Sequence, residues 1–546
     1  MLTISKPLSA SQAQTYHARE FAAHEQNYWS RDQQGHSEWQ GRLAEQWGLQ
    51  GDVGSEHFAR LSEGQHPHTE EQLVRHQVSR TYEGKFGKEV TSAEHRAGWD
   101  VTFSAPKSVS LTALVGGDDR VREAHRESVR VALQELERYT QARIGNVHAP
   151  ETTGKFIAAT FEHDTARPVD GYAAPQLHTH AVIFNMTERE NGLENGKSMR
   201  ALQPHEMFLS QRYVTAVYRS ELALHLEKLG YELERGKYGQ PEVKGYSKEY
   251  LEASSPRREQ IKDHLREQGI DGAAAAQIAA YHTRDRKELL SPGEVLQRHR
   301  ELAAQYGHQA DHVIALAREH GQYQMPEPEI QAKQAVTWAR DHVFERSAVE
   351  DRRAILETAL ARGMGGTTYA QVREEFESRI KAGEFREVSH IGAGQQYTTA
   401  TMVRMELEVI GRMQGGNRRN YSDPMLVSPQ VRISTENRHP ELNTSQRQAV
   451  DEIFLSREKV VGLDGIAGAG KTTTLSVIRE GAEADGYRVK GFAPTSRAAQ
   501  KLGEAGMETS TLQKHLVRGQ RPDSGEKRLY VLDESSLHRP GRCMSF

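Results

Sequence analysis

Apolar positions in the first 245 residues recur at every second residue in short runs and at three- and four-residue spacing between them, so this part reads as an α+β domain. Residues 2–5 predict a first strand, and Ser9 and Gln12 have capping-box spacing for a helix carrying Tyr16. Residues 27–47 are polar and aromatic, and are expected to be loop rather than core. A strand over 99–103 runs into Ser104, Ala105, Pro106, Lys107 and Ser108, where the serine and early proline suit a helix start. Over 118–143, Val121, Val129, Leu133 and Leu136 fall at helical spacing, while Arg122, Arg126 and Arg130 line what is expected to be a solvated face. Residues 155–163 predict a strand with Ile157, Ala159, Phe161 and His163 on one side. Residues 177–184 form an apolar run entered by His178 and His180.

Beyond residue 245 the pattern changes. Residues 246–319 are charged and helical, with an alanine run at 273–276 and a basic cluster of Arg284, Arg286 and Lys287, which predicts a helical extension of the first domain to residue 320. A proline-bearing break at 325–328 precedes helical stretches up to 386, expected to form a small helical domain over 330–412. Gly415, Gly416, Asp423 and Pro424 mark a linker over 413–440. Residues 441–537 alternate β-like apolar runs with helices, the signature of a parallel α/β unit, and 538–546 is a polar tail of a different character. The expected class is therefore multidomain, α+β then α/β, with a helical middle.

Composition narrows the chemistry. At 546 residues the chain should hold roughly three or four domains. No run approaches a membrane span and residues 1–5 lack the features of a signal peptide, so no membrane insertion and a cytoplasmic location are expected. The single Cys543 excludes an internal disulfide and any multi-cysteine metal site, leaving His, Asp and Glu as ligands. A net charge of -4 and a pI near 6.7 give no global pull toward nucleic acid, so polyanion binding would rest on local basic surfaces.

Two constellations carry chemistry. Residues two apart in a strand share a face, so His178 and His180 present adjacent imidazoles, and His163 joins them if the two runs pair as antiparallel neighbours. Taken alone, His-x-His is more often two surface histidines at a strand edge. Asp100 could hold a metal-bound histidine in one tautomer, accept a nucleophile's proton, or make a structural bond at a strand end. The following helix start bears Lys107 and hydroxyls and could bind phosphate. The second constellation is Gly465, Gly468, Gly470, Lys471 and Thr472, a full Walker A pattern after the apolar run 460–463 and before a helix.

Trp99–Asp100 through Ser110, Gln176–Leu177–His178–Thr179–His180 and the early Tyr16 and Tyr28 resemble the conjugative relaxases of the MobF class. The likeness continues through Tyr246–Ser247–Lys248, Arg257–Arg258 and Thr283–Arg284. It implies a histidine-hydrophobe-histidine relaxase fold, an antiparallel sheet with helices over residues 1–320. It also implies Tyr16 as nucleophile, His163, His178 and His180 as metal ligands, Asp100 as their support or as proton acceptor, and Lys107, Arg257 and Arg258 as DNA contacts. The substrate implied is single-stranded DNA beside a hairpin at a transfer origin, nicked through a 5′-phosphotyrosyl link. Relaxosome accessory proteins and a type IV secretion coupling protein are the implied partners, in a bacterial cytoplasm with passage into the recipient cell. Imidazole ligands suit manganese, zinc, cobalt or nickel, and cellular abundance makes magnesium or manganese the expected working ion. Tyr28 would serve a second strand transfer. It lies twelve residues after Tyr16, about 120° around an unbroken helix, so the helix must break for both to share a site.

Gln446 resembles the adenine-reading glutamine of superfamily-one helicases, and Asp533–Glu534 their Walker B pair. This implies a partial RecA-like unit binding ATP with magnesium: Lys471 on the phosphates, Thr472 and Asp533 on the metal, Glu534 on the attacking water. Only twelve residues follow Glu534, so a truncated motor without unwinding activity is expected. The competing readings are an ATP-dependent helicase or translocase, and a DNA-binding replication or partition factor, both without nicking.

Overall fold

The computed structural model describes all residues except 17–35, 77–80, 84–88, 92–94, 146–147, 190–197, 273–274, 276–278, 280–282, 284–291, 322–326, 346, 389–393, 417–423, 467, 519–524 and 535–546. The chain separates into two compact units, the first holding residues 1–341, 351–378 and 390–394 and the second the remainder.

In the first unit the chain lays down β1 (Leu2–Ile4), helix α1 (Ala10–Tyr16), β2 (Ser37–Gln40), helix α2 (Ser55–Ser62) and β3 (Arg96–Ser104). Helices α3 (Lys107–Leu114) and α4 (Asp119–Glu137), strands β4 (Ala158–Thr165) and β5 (Pro175–Phe184), and helix α5 (Gln211–Lys228) follow. The strands form one antiparallel sheet in the order β1-β3-β5-β4-β2, with the short strand Leu8–Ser9 also on β3. Gly98 in β3 permits the central pairing, because a Cβ there would stand 2.0 Å from the Ile183 carbonyl oxygen of β5. The capping box at α1 is present: the Ser9 hydroxyl accepts from the Gln12 amide at 3.2 Å while the Gln12 side chain accepts from the Ser9 amide at 3.1 Å.

Alternation along β5 divides the residues between two cores. On one face Val182 and Phe184 join Ala13 of α1, Phe58 and Leu61 of α2, Ala159 and Phe161 of β4, and Trp39. Trp39 corrects the loop expected over 27–47: within its described part, β2 pairs with β4, and Trp39 opposite Ala159 is buried. On the other face Phe103 stacks near Tyr218 of α5 at 5.6 Å between ring centres. Helix α4 lies on this side, and the arginine row expected to be solvated is not. Arg122 is buried, donating to Glu162 and Asp164, and Arg126 donates to Glu162.

Helix α6 (Arg352–Gly363) and the residues up to 378, expected in a separate small helical domain, cluster with this first unit. Arg353 donates to Glu206 at 2.7 Å, the Tyr369 amide donates to Glu221 at 2.6 Å, and the Tyr369 hydroxyl bonds Glu135. The helical reading up to 386 also overruns, since Phe385–Val388 is a strand paired with Gln396–Thr399.

The second unit contains helices α7 (Thr444–Leu455) and α8 (Lys471–Ala484) and a parallel sheet of β6 (Tyr487–Ala493), β7 (Glu508–Thr511) and β8 (Lys527–Leu532), ordered β7-β6-β8. The apolar run 460–463 expected to lead into the P-loop as a strand is not in that sheet, and Val460 and Val461 are exposed. Strand pairing, not apolarity alone, makes a strand, and the parallel sheet is built from β7, β6 and β8 without this run.

Burial of two histidines makes the first unit acid-sensitive. His125 is enclosed on the sheet's helical side, and desolvation pulls its pKa down to about 3. His299, bonded to the Ala173 carbonyl, is pulled down to about 4 for the same reason. The unfolded chain therefore takes up protons below about pH 6.5 that the folded unit refuses, so stability falls as pH falls toward about 4, by about 1.4 kcal/mol per pH unit for each histidine. Every tryptophan among the described residues, Trp39, Trp47, Trp99 and Trp338, lies in this unit, so urea unfolding followed by tryptophan fluorescence should show a midpoint dropping steadily from about pH 7 to about pH 5. A constant midpoint would refute the assignment.

Candidate functional site

The expected antiparallel pairing is present, and it brings the three histidines together. His178 of β5 lies directly opposite His163 of β4, and His180 lies two residues along on the same face. Ring centres stand 5.3 Å apart for His163 and His178, 5.2 Å for His163 and His180, and 5.0 Å for His178 and His180. Three imidazoles each bound through one nitrogen at about 2.1 Å to a single tetrahedral ion hold their centres about 5 Å apart, so the spacing fits one cation. Among the described residues no three His, Cys, Asp or Glu side chains already stand as a closed ion site. The fit accordingly rests on ring spacing, the shared face and the bonds behind the rings.

Those bonds fix which nitrogen faces inward. Asp100 of β3 reaches His180 Nδ1 at 2.8 and 3.0 Å through its two carboxylate oxygens, with the Thr102 hydroxyl 3.3 Å from the same nitrogen. His178 Nδ1 donates to the Gln176 carbonyl at 2.9 Å. A proton on Nδ1 makes Nε2 the acceptor nitrogen of each of these two rings, the form that binds metal. Burial, reinforced by the neighbouring His180, pulls His178 down to about 4, so it is neutral near pH 7.

The loop between β3 and α3 clamps the entry to the histidine strand. The Ala105 amide donates to the Leu177 carbonyl at 3.0 Å, Gln176 Nε2 to the Ala105 carbonyl at 2.8 Å, and the Leu177 amide to Ser110 Oγ at 3.1 Å. Lys107, expected to meet phosphate, donates to the Pro175 carbonyl at 2.6 Å. Lys107 is half-buried, and desolvation lowers its pKa to about 7 against the opposing pull of Glu242. The phosphate expected at this helix start meets a competitor, since Ser108 directs both its amide, at 3.4 Å, and its hydroxyl to Glu242. Arg257 donates to the Thr283 carbonyl at 2.6 Å, and Arg258 is exposed.

Tyr16 is the last residue of α1, whose Ala13 packs in the core beneath the histidine face. Gln14 ties the same helix to Glu63 at 2.8 Å. The Tyr16 side chain and the whole of Tyr28 lie outside the described residues. Sequence reasoning missed the charges behind the sheet. Arg122, His125 and Arg126 share one helical face, and Glu162 and Asp164 alternate with His163; that pairing of periods was the available signal.

In the second unit Gly470, at φ 77°, is the N-cap of α8 and Gly468 sits at φ 83°. A Cβ on Gly470 would stand 2.2 Å from Gln446 Nε2. Gln446 closes a capping box with Asn443 at the start of α7, and its Nε2 donates to the Ala469 carbonyl at 3.3 Å. Lys471 Nζ donates to the carbonyls of Gly465 at 2.5 Å and Ile466 at 3.3 Å; Thr472, partly buried, follows it in the first turn. Asp533 and Glu534 follow β8 directly, the Glu534 amide donating to Asp533 Oδ1 at 3.0 Å.

An antiparallel sheet with paired histidine strands, joined to a P-loop unit, defines a relaxase attached to a nucleotide-binding type of domain. The chain belongs to the TrwC relaxase family, whose model matches residues 10–306, and an AAA domain model matches 441–539. Over 300 residues, 54% of this chain and 15% of the relative, it is 35% identical to the multifunctional conjugation protein TraI of Escherichia coli strain K12. Over 150 residues, 27% of this chain and 13% of the relative, it is 35% identical to the probable conjugal transfer protein TraA of Sinorhizobium fredii. The chain thus spans a small fraction of the length of these relatives. Solved structures of the conjugative relaxase TrwC with oriT DNA, metal-free and metal-bound, are each 33% identical, covering 56% of this chain and 99% of that one with a TM-score of 0.46. No helix among the described residues is long and apolar enough to cross a membrane.

Proposed function

We propose that the chain is a site- and strand-specific DNA-nicking transesterase acting at a plasmid transfer origin. The observation that carries this reading is the triad of imidazoles on one sheet face, with Asp100 behind His180. Membership of the TrwC relaxase family and the likeness to a conjugation protein support it. Single-stranded DNA beside a hairpin is the substrate, with Arg257 and Arg258 on its backbone and Lys107 ordering the loop nearby. Relaxosome accessory proteins and a secretion coupling protein are the partners in a bacterial cytoplasm.

His163, His178 and His180 would hold one divalent cation, manganese or magnesium in use, through Nε2. Such a cation polarises the scissile phosphate and so compensates for the weak nucleophilicity of a phenol with a pKa of about 10. Asp100 accepts the Nδ1 proton of His180, and the Gln176 carbonyl that of His178, so both rings face the centre neutral. This assigns Asp100 to orienting a histidine rather than to taking the tyrosine proton. Tyr16 oxygen gives up its phenolic proton and forms the new P–O bond, and that loss is balanced by the proton the leaving oxygen gains. The P–O3′ bond breaks, and the departing oxygen keeps the electron pair and takes up a proton as the 3′-hydroxyl. The phosphotyrosyl link keeps the ester energy, so rejoining needs no ATP. Tyr28 serves a second transfer while Tyr16 is occupied.

The second unit is read as binding ATP with magnesium through Gly465, Gly468, Gly470, Lys471, Thr472 and Asp533, with Gln446 at the base and Glu534 at the water. The unit is read as a nucleotide binder without unwinding activity.

Three outcomes follow. Incubated with a divalent ion and an oligonucleotide carrying its transfer origin, the protein should form a covalent adduct resolved on a denaturing gel, and Tyr16→Phe should form none; an adduct in that variant would refute the nucleophile assignment. Asp100→Asn should weaken Mn²⁺ binding about 10- to 100-fold by calorimetry, the range for losing a carboxylate behind a ligating histidine. In a strand-displacement assay ATP should give no unwinding, and robust unwinding would overturn that part of the reading.

A further inference from the structure

The side of the sheet turned away from the histidines carries three polar residues among its buried apolar ones, and they sit beside the three histidines in sequence. Glu162 and Asp164 flank His163, and Thr179 lies between His178 and His180. Strand alternation turns these residues to the opposite face, where Thr179 pairs directly across from Glu162. All three are buried. Each is bonded to one face of α4. Arg122 donates to Glu162 at 2.7 Å and to the two oxygens of Asp164 at 2.7 and 2.8 Å. Arg126 donates to Glu162 at 2.7 and 3.0 Å. His125, three residues after Arg122, joins the Thr179 hydroxyl at 2.9 Å through Nε2 and the Tyr218 hydroxyl at 2.8 Å through Nδ1.

We propose that α4 positions the three histidines from behind the sheet, through Arg122 and Arg126 on the residues flanking His163 and through His125 on the residue between His178 and His180. The proposal rests on the reading that the triad holds an ion. Buried ion pairs contribute little net stability compared with apolar packing of the same volume, so their worth lies in geometry. A slip of one residue in β4 would turn His163 to the back and carry Glu162 and Asp164 to the front; two arginines bonded to both carboxylates forbid that register. The hydroxyl of Thr179 does the same for β5, since a β-branched apolar residue would fill the space without specifying a direction. His163, His178 and His180 are thus aimed by three side chains that meet neither ion nor DNA.

The test uses the full chain and Co²⁺, whose visible absorption reports ligand geometry. Thr179→Val is nearly isosteric and removes only the hydroxyl, so the tryptophan-monitored unfolding of the first unit should remain cooperative; Thr179→Ser restores the bond. Glu162→Gln is a second variant on the other strand. Thr179→Val and Glu162→Gln should each bind Co²⁺ about tenfold more weakly with shifted absorption bands, and lower kcat for oligonucleotide cleavage with KM unchanged, while Thr179→Ser behaves as the parent. Co²⁺ affinity and spectra equal to the parent in both variants would overturn the proposal. Crystal structures of parent and Thr179→Val separate it from the metal reading. Ring centres that spread from their parent positions support positioning even if His163→Ala binds Co²⁺ as the parent does, an outcome that would sink the metal reading alone. Unmoved rings overturn the positioning role whatever the ion does.

Discussion

Strand alternation across the β4–β5 pair governs the first unit. Because His178 faces His163 in register, every neighbouring residue has its side assigned: Val182 and Phe184 to the core beneath α1 and α2, Thr179 and Glu162 to the helix behind. The imidazole spacing, the carboxylate of Asp100 two residues along β3 from Thr102, and the close approach at Gly98 follow from that register. Moved by one residue, β4 would turn His163 in among the arginines and carry Glu162 and Asp164 out beside His178 and His180.

Much of this was legible in the sequence because short-period signals carry it. His-x-His, the alternation from Ile157 to His163 and the Ser9–Gln12 spacing are local, and the structure keeps all three. What was not legible depends on partners far along the chain. Trp39 looks like a loop aromatic until β4 supplies Ala159 opposite it. Arg122 and Arg126 look solvated until Glu162 and Asp164 arrive some forty residues later. Lys107 reads as a phosphate contact, and only the fold brings the Pro175 carbonyl to accept a hydrogen bond from it. Residues 351–378 carry helical periodicity, but only the bonds of Arg353 and Tyr369 to Glu206, Glu221 and Glu135 assign them to the first unit.

The same limit shaped the second unit. Glycines at 468 and 470 predict the left-handed turns of the P-loop, and both adopt positive φ. The apolar stretch before them has the composition of a buried parallel strand, yet strand formation is a property of a pair and 460–463 is not one of the paired strands of the β7-β6-β8 sheet.

One contact there has a mechanical meaning. The amide of Gln446 occupies the space a side chain at 470 would need, and the same residue closes the first turn of α7. The glycine loop before α8 and the start of α7 therefore move together, with Gly470 between them. A shift of the backbone at Gly470 would press on Gln446, and with it on a helix whose far end, at Val450 and Phe454, is embedded in the core beside Val477 and Ile478 of α8. A displacement begun in the glycine loop is thereby carried into the packed interior through two covalently distant helices that share one glycine.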